Sequence, residues 1–194
     1  MSINLSKDQS LNLSKSDGTN LKEIYAAAGW DVLGGGADLD LMIIATSGKK
    51  AKSVQDLVYF NQLNHPTGAI KLSKDNRTGA GERDDEFAII NLEMLNNAGY
   101  DGVFFLIDIH SEPGQPRAAA TFDLVSNAFV RICDGKDGSA VEVGRYNLTS
   151  DALPGTSTAL VSACLLIDGK WTYKALGITN KNGIEANLAA FNIV

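Results

Sequence analysis

The sequence predicts a mainly β protein, a β-sandwich with short peripheral helices, built as one domain across residues 1–194. Three observations carry that expectation. Short apolar runs recur along most of the chain, clusters of Gly, Asn and Asp separate them, and helical periodicity is scarce. With 44% hydrophobic side chains in 194 residues, the chain can bury a large core without staples.

The elements follow in chain order. Ile3-Asn4-Leu5-Ser6-Lys7 is echoed eight residues later by Leu11-Asn12-Leu13-Ser14-Lys15, each copy alternating apolar and polar residues as a half-buried strand does. Asp8-Gln9-Ser10 between them is turn chemistry, so the pair is expected as a hairpin or as two sequential strands. Good helix formers at 21–28 suggest a helix there. Strands are expected at 39–45, 57–61, 87–92, 103–110, 128–133, 141–148, 159–167 and 171–176. Residues 122–128 have room for two helical turns opened by Thr121. Ile184, Leu188 and Phe191 fall at helical spacing after Asn182-Gly183, which suggests a short terminal helix on the sheet. No Pro-rich or Ser-rich linker divides the chain.

Composition narrows the function. The formal net charge is −6 and the sequence pI is about 4.9. A nucleic-acid binder needs a positive face to displace counterions from phosphate, so no nucleic-acid partner is expected. Divalent cations suit such a surface better. The first residues hold no apolar h-region, and the most apolar stretch, 159–167, is far shorter than the roughly 20 residues that span a bilayer. Cys133 and Cys164 sit in apolar segments and are expected as reduced, buried thiols of a cytoplasmic protein. With no CxxC, and with His65 and His110 in unrelated segments, zinc is disfavoured. The same scarcity of histidine leaves no convincing Ser-His-Asp set, so the protein is expected not to be an enzyme.

Charge is concentrated in one place. Residues 75–86 hold five acids (Asp75, Glu82, Asp84, Asp85, Glu86) and two bases (Arg77, Arg83), a net of −3 within a total of −6. Adjacent carboxylates repel unless they are solvated or neutralised. An apolar strand follows at once, so the acids stand at a strand mouth. Calcium takes about 6–8 oxygen ligands from carboxylates, amides, carbonyls and water, and Gly79 and Gly81 would let the backbone curl around it. The segment is no EF-hand: Arg77, Gly79 and Ala80 stand at its third, fifth and sixth positions. Upstream, Asp38 and Asp40 share one face of an expected strand, while Leu39 and Leu41 enter the core. Asp31 lies nearby in sequence, and Asn61 offers an amide oxygen at a strand end. Composition leaves a solvated acidic surface and a cation site both open. A solvated strand face is the default for Asp108 and His110, and the core for Trp30, Trp171, Phe104 and Phe105.

The motifs resemble a known family, the TerD-like proteins of tellurite-resistance and chemical-stress operons. The matching pieces run in family order over nearly the whole chain. They are the repeated Leu-Ser-Lys, Gly29-Trp30-Asp31, Asp38-Leu39-Asp40, Val58-Tyr59-Phe60-Asn61-Gln62, Asp75-Asn76-Arg77-Thr78-Gly79 with Gly81 and Asp84-Asp85-Glu86, Ile109-His110, Asn127-Ala128-Phe129-Val130-Arg131, Arg145-Tyr146-Asn147-Leu148 and Trp171. Glu82-Arg83 stand where the family often has a second Gly and fewer charges. The resemblance implies a β-sandwich with calcium-binding loops at one end. It implies ligands among Asp38, Asp40, Asn61, Asp75, Asn76, Gly79, Gly81, Asp84, Asp85 and Glu86, with two neighbouring calcium ions expected. It further implies a cytoplasmic stress-response binding or scaffold protein, with protein partners in a complex that can sit peripherally at the inner membrane. Two alternatives stand beside it: a calcium-dependent phospholipid-binding module, and a hydrolase in which carboxylates such as Asp40 and Glu86 flank a glycosidic bond.

Overall fold

The computed structural model describes residues 2–31, 38–75, 84–110, 121–148, 154–181 and 183–193. In chain order the strands are β1 (Ile3–Leu5), β2 (Ser10–Asn12), β3 (Glu23–Gly29), β4 (Asp38–Thr46), β5 (Leu57–Val58), β6 (Ile70–Leu72) and β7 (Glu86–Asn91), followed by helix α1 (Leu92–Asn97). Then come β8 (Gly102–His110), β9 (Phe129–Asp134), β10 (Val141–Asn147), β11 (Thr158–Ile167), β12 (Lys170–Asn180) and helix α2 (Ile184–Ala190). One sheet has the order β1-β10-β9-β3-β7-β6 and the other β2-β12-β11-β8-β4-β5. A mainly β fold of two packed sheets with short helices is what the patterning predicts.

The core lies between the sheets. Ile24, Ala26 and Ala28 of β3, Val130 and Ile132 of β9 and Ile90 of β7 face Leu39, Leu41 and Ile43 of β4 and Phe105 and Ile107 of β8. The alternation follows from the two-residue period of a strand. β4 and β8 are apolar on both parities for a separate reason. Their outer-face residues Met42, Ile44, Phe104 and Leu106 pack under Ile184, Phe191 and Ile193 of the C-terminal segment.

One open expectation is resolved and three need correction. The N-terminal repeat forms two sequential strands but no hairpin: β1 pairs in parallel with β10, while β2 pairs with β12 in the opposite sheet. Each copy thereby buries its own leucine, Leu5 and Leu13, on the side of the sandwich. Residues 21–28 are not helical. β3 runs through the middle of its sheet between β7 and β9, and that double ladder overrides the helix preference of Ala26-Ala27-Ala28. The strand expected at 57–61 is only Leu57–Val58, because residues from Tyr59 to Gln62 form a tight turn with reciprocal backbone hydrogen bonds of 3.1 and 2.8 Å. The two helical turns expected at 122–128 reduce to a single 3-10 turn, Phe122–Leu124, and Thr121 Oγ1 donates to Asp123 instead of capping it. Strand β6 and helix α1 were not expected; Asn91 caps α1 by accepting the Met94 N–H at 2.8 Å.

Candidate functional site

Register places one rim of the sandwich at the end of β3, the start of β4, the start of β7 and the end of β8. Ala28 faces Glu86 across one sheet, and Asp38 faces His110 across the other. Beyond β6, Ser73 N–H donates to Phe87 O at 2.7 Å, which carries the chain to Asp75 beside the start of β7.

Three carboxylates gather there. Oxygens of Asp40, Asp75 and Glu86 all lie within 4.8 Å of one another. Asp40 is 4% exposed and Glu86 2%, while Asp75 opens to solvent. The shortness of β5 makes the meeting possible. It pairs with Ile43 and Ile44, so among the described residues the first half of β4 has no partner strand on that side. Glu86 reaches across from the opposite sheet and accepts the Leu41 N–H through Oε2 at 2.7 Å. Asp40, next to Leu41, has the strand parity of Met42 and Ile44.

The three consecutive acids diverge. Asp84 forms a forked pair with Arg131, Nε to Oδ1 at 2.7 Å and Nη2 to Oδ2 at 2.6 Å, and also accepts the Tyr25 hydroxyl at 3.1 Å. Burial, then the Asp84 charge, pushes the Tyr25 phenol upward, while hydrogen bonding to Asp84 pushes the Arg131 guanidinium upward. Asp85 Oδ2 accepts the Trp30 N–H at 2.8 Å. Burial holds the Asp85 carboxyl above the usual carboxylate range and the charges of Asp31 and Asp84 add to this, with the Trp30 bond acting the other way. Only Glu86 of the three turns into the cluster.

The remaining expected residues are placed as follows. Asp38 is half-buried at the start of β4, on the same strand parity as Asp40. Asn61 is exposed on the turn between Tyr59 and Gln62. Asn76, Gly79 and Gly81 lie outside the described residues, and the expectation of two ions rests in part on them. Asp31 is exposed and accepts the Asn127 Nδ2–H at 3.0 Å. Trp30, Trp171, Phe104 and Phe105 are buried in the core, and the thiols of Cys133 and Cys164 are free and buried. Asp108, half-buried, stands directly opposite Asp40 across the β4–β8 ladder. Sequence reasoning missed the partners of Asp84. Arg131 was visible only as the last residue of a motif with no role attached.

The donor set is all oxygen and all carboxylate, the chemistry of a hard divalent ion; zinc prefers nitrogen and sulfur. Ligands on opposite sides of a calcium ion, each at about 2.4 Å, lie about 4.8 Å apart, so the span of the three oxygens suits that ion.

Comparison with known proteins agrees with this architecture. The TerD domain family matches residues 1–191. The tellurium resistance protein TerD of Serratia marcescens is 32% identical over 199 residues, spanning 100% of this chain and 98% of the relative. General stress protein 16U of Bacillus subtilis is 34% identical over 190 residues, spanning 95% of this chain and 94% of the relative. The crystal structure of a homologue of telluride resistance protein (TerD) from Streptomyces coelicolor superposes with a TM-score of 0.67 at 22% identity, covering 90% of this chain and 98% of that one.

Proposed function

The chain belongs to the TerD family, and on that premise we propose that it is a calcium-dependent binding module of the stress response, acting by binding and not by turnover. The observation that carries the proposal is the convergence of Asp40, Asp75 and Glu86 from three separate segments. Carboxylates brought so close repel one another, and a divalent ion among them turns that repulsion into attraction. Asp40, Asp75 and Glu86 would hold the ion, which supplies positive charge at the rim. Glu86 is anchored by the Leu41 amide, so its carboxylate is held in place before any ion arrives. Burial of two of the three carboxylates suits a small ion better than a sugar ring, which favours binding over glycoside hydrolysis.

The functional output we propose is a calcium-ordered surface for a protein partner in a cytoplasmic stress-response complex. The names of the relatives, tellurium resistance and general stress, support that setting. No described helix is long and apolar enough to cross a membrane. The attachment we propose at the inner membrane is peripheral, through a partner or through ion-bridged phospholipid, and co-sedimentation with acidic vesicles, with and without chelator, separates the two.

Calorimetric calcium titration of chelator-stripped protein tests the site, with magnesium as control. Calcium at 100 times its Kd should stabilise the fold by about 2.7 kcal/mol if it binds only the native state. Asp40→Asn should abolish both the heat and the rise in Tm. A wild-type protein that gives neither in millimolar calcium ends the proposal.

A further inference from the structure

Arg131 lies on β9, opposite Ala27 of β3 in the ladder, and on the outer face of its sheet with Tyr25 and Cys133. Ala27 is fully buried, and its single methyl group leaves room for the guanidinium and the Asp84 carboxylate to meet over β3. The pair is closed in. The side chains of Arg131 and Asp84 are 10% and 7% exposed, and Gly138 O accepts from Arg131 Nη2 at 3.2 Å. A Cβ on Gly138 would stand 3.2 Å from the Tyr25 hydroxyl and 3.3 Å from Asp84 Oδ2, so that backbone lies directly over the pair. From the far side, Glu142 Oε2 accepts from Arg131 Nη1 at 3.3 Å and from Arg145 Nη2 at 3.0 Å. Both Asp84 oxygens are thus engaged on the outside of one sheet. Two residues later, Glu86 turns inward and meets Asp40 and Asp75.

We propose that Arg131 is a positioning residue for the cation site: its forked pair with Asp84 pins the entry to β7, so that Glu86 is delivered to Asp40 and Asp75. The proposal rests on the calcium site argued above. It makes Asp84 an anchor outside the coordination sphere and gives a role to the arginine of the Asn127–Arg131 motif. Residues that orient a ligand from behind typically change metal affinity 10–100-fold when removed.

The test is calcium affinity by calorimetry on the stripped full chain, at a temperature where every variant is folded. Arg131→Met should weaken Kd at least 10-fold. Arg131→Lys keeps the charge but lacks the planar fork, and should weaken Kd nearly as much. Asp84→Asn should match them, and the double variant Arg131→Met with Asp84→Asn should be no weaker than the worse single, because both remove one contact. A role confined to stability lowers the Tm of the stripped protein and leaves Kd unchanged. Wild-type Kd in either folded Arg131 variant, or losses that simply add in the double variant, overturns the positioning role. If Arg131→Met does not fold, Arg131→Lys and Asp84→Asn decide the question. Absence of calcium binding by the wild type sinks the parent proposal and this one with it, whereas wild-type binding with unaffected variants sinks this one alone.

Discussion

Asp56 accepts four hydrogen bonds where water scarcely reaches: from Lys52 N at 2.6 Å, Ser53 N at 3.0 Å, Tyr100 Oη at 2.8 Å and His65 Nε2 at 3.1 Å. His65 Nδ1 accepts the Thr67 N–H at 3.3 Å, which leaves Nε2 carrying the proton toward Asp56 and the ring neutral. Removing a buried carboxylate with such partners orphans several donors at once. Asp56→Ala should cost about 3–5 kcal/mol, read from urea unfolding. Burial also lowers the His65 pKa below its ordinary 6.5, against the pull of Asp56. As pH falls through 6.5 the unfolded chain takes up a proton that the folded chain refuses until a lower pH. Stability therefore rises with pH across that window and is lost below it. The urea midpoint should drop between pH 7 and pH 5, and His65→Gln should flatten that part of the profile; an unchanged slope removes His65 as its cause.

At the scale of the element, β12 departs from regular strand geometry. Its register against β11 shifts between Leu160 and Ser162, so that Leu176 and Gly177 oppose Val161 alone. Gly177 takes φ +55°, and a Cβ there would overlap the Tyr146 hydroxyl. Glycine is required for two independent reasons, the left-handed backbone and the close approach of a buried tyrosine. Gly177→Ala should destabilise by about 2 kcal/mol or more, visible as a lower Tm, and a neutral effect would mean that the bulge can be redrawn. Element length matters as much at β5. Two residues of pairing leave half of β4 without a strand partner on that edge among the described residues, and Glu86 meets the Leu41 amide there.

For the whole molecule, the C-terminal segment completes the sandwich. Without α2 and the residues after it, Met42, Ile44, Phe104 and Leu106 would form an apolar patch on the outside of a sheet. Phe191 carries much of that cover, 5% exposed with its ring centroid 4.7 Å from that of Phe104. Phe191→Ala should cost about 3–5 kcal/mol and make the protein bind a hydrophobic dye. Calcium, held at the rim, should still bind this variant with wild-type affinity, since the cover lies on residues distinct from Asp40, Asp75 and Glu86.

The sequence by itself determined the mainly β class, most strand positions, the terminal helix and the location of the charge. Those properties depend on local alternation, turn residues and composition, which are written along the chain. It also put Asp38 and Asp40 on one face, because strand parity is local. What only the tertiary structure decided is who meets whom. Three neighbouring acids read as one cluster, yet Asp84 turns to Arg131, Asp85 to the Trp30 amide and Glu86 to Leu41 and Asp40. The repeat, expected as a hairpin or as two sequential strands, was split between two sheets, and an alanine-rich segment that suggested a helix became the middle strand of a ladder. In each case the deciding partner lies far away in sequence, and side-chain direction is settled by the long-range register that brings it there.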